Sequence, residues 1–255
     1  MPGLKGDTVK KLSIDATGVY YRDLNARLRE AVGAGTRQFE LRNICGQRYI
    51  GTDLDGPVEI GIHGTPGNDL GSFMNGPRIV VHGNAQDGCG NTMNEGEIIV
   101  HGHAGDIVGL SARGGKIFVR DDVGYRAGIH MKEYGEKKPK IVIGGTAQDF
   151  MGEYMAGGVL VLLGLNLKKG ESHQASFIGT GIHGGAIFLR GKVSPHQLGK
   201  EVGTVSPDED DLALLDTLVR EYTAHFGGSV EAIMKEGFLK LYPMYLRPYG
   251  RLYAY

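Results

Sequence analysis

Three histidines are the residues whose spacing first suggests chemistry. His63, His82 and His101 fall 19 residues apart, and Arg120 continues the series. Aligned imidazoles are potential metal ligands. A flat ladder of them, however, gives poor tetrahedral convergence, and no carboxylate column runs beside it to orient the rings. Contact with a partner or with solvent is the expected role. A second polar column, Asn68, Asp87, Asp106 and Asp149, has the residue types of a calcium site. Such residues also form turns by hydrogen-bonding their own backbone, and the nonapeptide pattern of calcium-binding β-helices is missing. They are expected to be turn formers. The two cysteines, Cys45 and Cys89, match no zinc spacing and are too few for an iron–sulfur cluster. Both are expected to be reduced, with Cys89 facing inward. There is no Ser-His-Asp signature, P-loop, dinucleotide fingerprint or paired-carboxylate motif. No catalytic, cofactor-binding or metal-ligating residue is assigned in this chain.

The element that positions these columns is a glycine comb. Gly64, Gly83 and Gly102 fall 19 apart, and Asp121 continues them. Gly71, Gly90, Gly109 and Gly128 form a second comb seven residues later in each unit. Gly145 and Gly152 resume both after a five-residue insertion, and Gly164 follows 19 after Gly145. A period near 20 rich in glycine is the mark of a solenoid, in which only stacking builds a core. Four and two residues before the first comb stand Ile60, Ile79, Ile98, Ile117, Ile141, Leu160 and Ile62, Val81, Val100, Val119, Ile143, Leu162. Two aliphatic columns so spaced are one face of a β-strand. The pattern predicts an all-β solenoid, a single-stranded right-handed parallel β-helix of about seven coils. Met74, Met93, Met131 and Met155, with Ala112 and Ile182 in two coils, form a third inward column. Methionine there fills corner gaps and is not a thioether metal path. The outward column between the aliphatic ones is apolar too: Val80, Ile99, Phe118, Val142, Val161, Phe188. Flanking helices of this chain or another subunit must cover it.

The sequence divides into an N-terminal segment with a short helix (1–38), the β-helix (39–193) and C-terminal helices with a tyrosine-rich tail (194–255). The first helix is expected over Arg22–Val32, with Leu24, Leu28, Ala31 and Val32 on one stripe. Ser206-Pro207-Asp208-Glu209 reads as a capping box that opens a helix through about Phe226, docked through Leu212, Leu215, Leu218 and Val219. A shorter helix follows Ser229. In the tail, Tyr245, Arg247, Tyr249, Arg251 and Tyr253 have an interface composition, so they join the three histidines as candidate partner contacts. A tail folded onto its own chain is the alternative. Insertions near Lys132–Pro139 and Asn166–Gln174 carry Lys137, Lys138, Lys168, Lys169 and Glu171, and are expected on the surface at the side that chooses partners. Twenty-eight lysines and arginines against 29 acids leave a net charge of −1, which implies neither nucleic acid nor an anionic membrane as partner. Met1–Gly18 has no apolar signal core, and Gly157–Leu165 is too short to span a bilayer, so a cytoplasmic location is expected.

Several stretches carry a family resemblance. Gly71-Ser-Phe-Met-Asn-Gly76, Gly90-Asn-Thr-Met-Asn-Glu-Gly96 and Gly152-Glu-Tyr-Met-Ala-Gly-Gly158 resemble the GXGXG domain at the C-terminus of the glutamate synthase large subunit. So does Asn43 to Gly56, ending Gly51-Thr-Asp-Leu-Asp-Gly56. Gly124-Tyr-Arg-Ala-Gly-Ile-His-Met131 and Gly46-Gln-Arg-Tyr-Ile-Gly51 resemble stand-alone versions of that domain. The resemblance implies a β-helix without catalytic residues, packed against a glutamine amidotransferase subunit and an FMN and iron–sulfur synthase subunit. Those partners would release ammonia from glutamine, add it to 2-oxoglutarate or another acceptor, and reduce the product. No cofactor is implied in this chain itself. It departs from a full synthase in having no N-terminal nucleophilic cysteine and no FMN-barrel pattern. The formylmethanofuran dehydrogenase subunit that shares the repeat is the nearest rival resemblance. A self-sufficient β-helix enzyme acting on carbohydrate, with acids and arginines gathered from separate coils, is the alternative of a different class.

Overall fold

The computed structural model describes residues 11–245. Within them one sheet of eleven strands runs the length of the molecule. The strands are β1 (Lys11–Asp15), β2 (Gln38–Cys45), β3 (Glu59–Thr65), β4 (Asn75–His82), β5 (Glu95–Val100) and β6 (Lys116–Val119), then β7 (Lys140–Ile143), β8 (Ala156–Leu162), β9 (Gly184–Arg190), β10 (Val202–Val205) and β11 (Phe238–Pro243). Each of β1 to β8 pairs in parallel with the next, and β11, antiparallel to β9, and β10, antiparallel to β11, then close the end. Three helices accompany them: α1 (Tyr21–Gly33), α2 (Glu209–Phe226) and α3 (Val230–Lys235).

The register explains why the repeat survives its insertions. Ile79 pairs with Ile98 and Ile98 with Ile117, whereas Ile117 pairs with Ile141 and Leu160 with Ile187. The extra residues are accommodated at coil corners, so the aliphatic ladders stay in line. The solenoid makes about six turns, slightly fewer than the seven expected. The steps from β3 to β9 are those six; the step from β2 to β3 is irregular, with a register shift between Leu41 and Ile44.

Both inward aliphatic columns are buried, as are Met74, Met93, Met131, Met155 and Cys89. Two causes make glycine necessary in the combs. Gly109 has φ +68°, and a Cβ there would stand 2.3 Å from Cδ1 of Ile141, an aliphatic rung beside it. Gly83 has no positive φ; its Cβ would stand 2.7 Å from the Gly64 carbonyl oxygen, so close backbone approach alone requires it.

The flanks seal what the coils leave open. Helix α1 places Leu24 and Leu28 in the main core. On α2 the cap is Asp208, which accepts from the Asp211 backbone N–H while Asp211 accepts from that of Asp208. The expected cap at Ser206 is therefore displaced by two residues, and Pro207 precedes the helix. A carboxylate at Asp208 suits both the orphan N–H groups and the positive end of the helix dipole. Leu215, Leu218, Val219 and Tyr222 of α2, with Ile233 of α3, pack on Ile99, Phe118, Val142, Val161 and Phe188. The outward column is thus covered by this chain's own helices. Leu212, expected in the docked stripe, is 44% exposed.

Candidate functional site

The helices cover only part of that outer face. From Ile99 onward it is apolar and dry; over β1 to β3 it is polar and open, and Val80 of β4, half-buried, packs against the edge of the covered half. The ring centroids of His63 and His82 lie 4.7 Å apart with their planes at 18°, and those of His82 and His101 lie 5.4 Å apart at 22°. Glu40 ends the ladder on one side, 2.8 Å from Nε2 of His63, with Lys11 3.4 Å from the same carboxylate. The hydrogen bond with His63 and the Lys11 charge hold the Glu40 carboxyl below the usual range. The other end abuts α2, where His101 meets the edge of Phe226 at 5.0 Å. Burial, then the neighbouring His82 and Arg120, push the His101 imidazole below its ordinary value. A groove of about 350 Å³ lies beside the ladder, lined by Lys11, Glu40, Gly61, Arg78, Val80 and His82.

Stacked rings aim their nitrogens side by side and not at one point. Among the described residues no three His, Cys, Asp or Glu side chains are placed to hold a metal ion. The arrangement is suited to recognition through hydrogen bonds and charge. The Glu40 carboxylate was not legible as a partner of the ladder, because the irregular step after β2 takes it out of the 19-residue period.

The glycine-comb side of the coils carries a second surface. Two columns there have left-handed backbone, with φ from +49° at Tyr154 to +71° at Gly88. One runs Tyr49, Asp69, Gly88, Ile107, Arg126, Phe150, Phe177; the other runs Asp53, Phe73, Thr92, Ser111, His130, Tyr154, Gly181. The coil requires this conformation, and Gly or Asp meets it at little cost, as Gly88 and Asp69 do. Bulky rings meet it at roughly 1 kcal/mol or more. Yet Phe73, Tyr154 and Phe177 are 50%, 48% and 52% exposed, so core packing does not repay that cost. Phe150 and Phe177 stack at 4.8 Å, His130 and Tyr154 at 5.5 Å, and the Arg126 guanidinium sits 4.9 Å from the Phe150 ring while pairing with Glu153 at 2.9 Å. Nothing in the solenoid demands aromatic rings there.

The remaining sequence candidates are placed as follows. Of the repeat glycines Gly64 lies within β3, and Gly71, Gly83, Gly90, Gly102, Gly109, Gly128, Gly145, Gly152 and Gly164 lie in the connections between strands. Tyr245 is 70% exposed; Arg247, Tyr249, Arg251 and Tyr253 lie outside the described residues. The aspartate column does form turns, with one correction: its carboxylates accept from the next coil, not from their own backbone. Asp87 accepts from the Asp106 N–H at 2.9 Å, Asp106 from Tyr125 at 2.8 Å and Asp149 from Ser176 at 2.8 Å. Sequence reasoning missed His173. It lies in the charged second insertion yet is 1% exposed, and its Nε2 donates to the Arg190 carbonyl at 2.8 Å, leaving Nδ1 without a partner. Gln197 donates to the carbonyls of His173 and Ala175, both at 2.7 Å. A single histidine outside the repeat gives no periodic signal. No helix among the described residues is long and apolar enough to cross a membrane.

Strand ladders, methionine corners and glycine combs of this kind point to one family, and the model of the GXGXG motif matches residues 30–247. The chain belongs to the GXGXG motif family. The match extends beyond the coils, through α2 and α3 to the end of β11. A relative in Methanocaldococcus jannaschii, "Uncharacterized protein MJ1350", is 43% identical over 254 residues, covering 96% of this chain and 97% of that protein.

Proposed function

We propose that this GXGXG chain is the structural subunit of a glutamate-synthase-type complex, on which a glutamine amidotransferase subunit and an FMN and iron–sulfur synthase subunit assemble. The observation that carries this reading is the exposed aromatic surface of Arg126, His130, Phe150, Tyr154 and Phe177. Its left-handed backbone makes large rings costly, and Tyr, Arg and Phe are the types that anchor protein interfaces. The polar ladder of Glu40, His63, His82 and His101 offers a second contact of different chemistry on another face. On this reading the chemistry lies with the partners: one hydrolyses glutamine, the other holds the flavin and the cluster, and this chain sets their relative position. A carbohydrate-active role is less well supported. Phe150 is covered on its two faces by Arg126 and Phe177, so it offers an edge and not the open face on which sugars stack.

The test is co-purification of the three subunits encoded in one genome, with this chain tagged. Replacing Phe150, Tyr154 and Phe177 together by Asn, which tolerates left-handed backbone, is expected to leave the β-helix folded and reduce recovery of at least one partner tenfold or more. Undiminished recovery of both partners, or a flavin spectrum from the isolated chain, would overturn the proposal.

A further inference from the structure

The N-terminal end of the sheet carries a surface that neither the ladder nor the aromatic columns explain. Strand β1 pairs with β2 on one side, and among the described residues no strand lies on its other side. A parallel solenoid that stops this way exposes a row of backbone donors and acceptors, which another strand can extend. Between β1 and α1 lies a groove of about 480 Å³, lined by Leu12, Ile14, Arg27, Glu30, Ala31 and Ala34 among others. Its floor is apolar and its charged lining is Arg27, Glu30 and Asp15.

The five residues of β1 read Lys-Leu-Ser-Ile-Asp. Laid antiparallel against itself and centred on Ser13, this segment sets Lys11 opposite Asp15 of the second strand, Leu12 opposite Ile14, and Ser13 opposite itself. Both ends then pair unlike charges and the apolar residues meet on one face, the pattern that favours cross-strand pairs. Charged residues on an edge strand ordinarily discourage association. Here they discourage foreign strands and match a copy of themselves. Both are held in place: Lys11 lies 3.4 Å from Glu40, and Asp15 accepts from Thr17 and Asn43. Those bonds, Asn43 foremost, draw the Asp15 carboxyl down to about 2, so it is charged at ordinary pH. The opposite end differs: β10 reads Val-Gly-Thr-Val, with no charge to select a register.

We propose that β1 is a two-fold docking edge, where a second copy of this chain adds its own β1 antiparallel and so continues the sheet across a symmetric dimer. The interface is isologous, as a two-fold pair requires. It uses a different end of the molecule from the aromatic columns and stands or falls independently of the proposed complex.

The test uses the full chain and sedimentation equilibrium. The unsubstituted protein is expected to dimerise at micromolar concentration. Lys11→Glu and Asp15→Lys should each weaken self-association by tenfold or more, because each sets like charges opposite at both ends. Mixing the two variants should restore the dimer, since every pair is then of unlike sign again; a merely misfolded variant would not be rescued. A Ser13→Cys variant in a Cys45→Ser background, treated with an added thiol oxidant, should yield a disulfide-linked dimer, because only the two-fold brings that position against itself. A monomeric unsubstituted protein, single variants that dimerise as well as it does, a mixture that stays monomeric, or no cross-link at position 13 would each overturn the proposal.

Discussion

One face of one sheet is built in two ways. Over β5 to β9 the outward column is Ile99, Phe118, Val142, Val161 and Phe188, all buried beneath α2 and α3. Over β2 to β4 the equivalent positions are Glu40, Gly61 and the half-buried Val80, beside stacked histidines. The inward columns do not change between the halves. The coil therefore dictates only its interior, and the exterior is free to be core or surface according to what covers it. The boundary falls at His101 and Phe226, where the C-terminal end of α2 rests on the last rung of the ladder. Outward strand positions in this solenoid thus report the neighbour, whereas inward positions report the fold.

The largest expected effect tests that contrast at equivalent positions. Phe118→Ala removes a fully buried ring that touches His225 edge-on at 5.0 Å, and should cost about 3–5 kcal/mol in chemical denaturation. Val80→Ala, two coils away in the same column, removes a half-buried side chain over an open groove and should cost about 1 kcal/mol or less. Equal losses at the two sites would show that the outer face is one continuous core and that the division is wrong.

The division itself was only partly legible in the sequence. Inward columns such as Ile79, Ile98 and Ile117 announce themselves because six or more coils repeat the same choice. The need to cover Ile99, Phe118 and Phe188 was equally plain, since a strand apolar on both faces cannot face water. Which element covers them was not, because the covering helix is far from them in sequence: Tyr222 bonds to Arg120, 102 residues earlier. The cap of α2 was misplaced because Ser206 and Asp208 are both good caps, and only the docked helix decides between them. At the ladder, the three histidines were visible as a column, whereas Glu40 enters from outside the period. The cost of large rings at Phe150, Tyr154 and Phe177 is invisible without φ angles, since a glycine comb advertises its own left-handed residues and not those beside it. Strands β1 and β11 are short and unrepeated, so nothing in the pattern marks them as sheet.

A middle-sized effect sharpens the boundary from the helix side. The Tyr222 hydroxyl donates to the Arg120 carbonyl at 2.9 Å, and its ring meets Phe226 at 4.8 Å. Arg120 is the residue that follows His101 in the ladder's own column, so this bond pins α2 where the polar half begins. Tyr222→Phe keeps the ring and deletes the bond, leaving a carbonyl unpaired beneath the helix. A loss of about 1 kcal/mol is expected, with faster hydrogen exchange confined to the last two turns of α2. Uniformly faster exchange along all of α2 would mean that the bond holds the whole helix, and that the boundary is not where the two halves part.

The smallest effect concerns His101 and acid. Its imidazole is held below the ordinary histidine value of 6.5, first by burial under Phe226 and then by the charges of His82, Arg120, His225 and Arg78. Glu97, 2.8 Å from Arg78 and 3.5 Å from His225, places one negative charge among them. A state with the end of α2 lifted leaves the ring in water, where it takes a proton more readily. The open state therefore binds more protons, and the closed state is favoured less as pH falls from the ordinary value toward the depressed one. Above that window the ring is neutral in both states and the dependence vanishes. With the intrinsic pH dependence of amide exchange divided out, protection at Thr223 to Phe226 should accordingly fall on acidification through the ordinary histidine range, while protection in β7 and β8, under the covered half, stays constant. His101→Asn should flatten that slope and leave His82 stacked only on His63. An unchanged slope in the variant would show that His101 is not the group that carries the acid sensitivity.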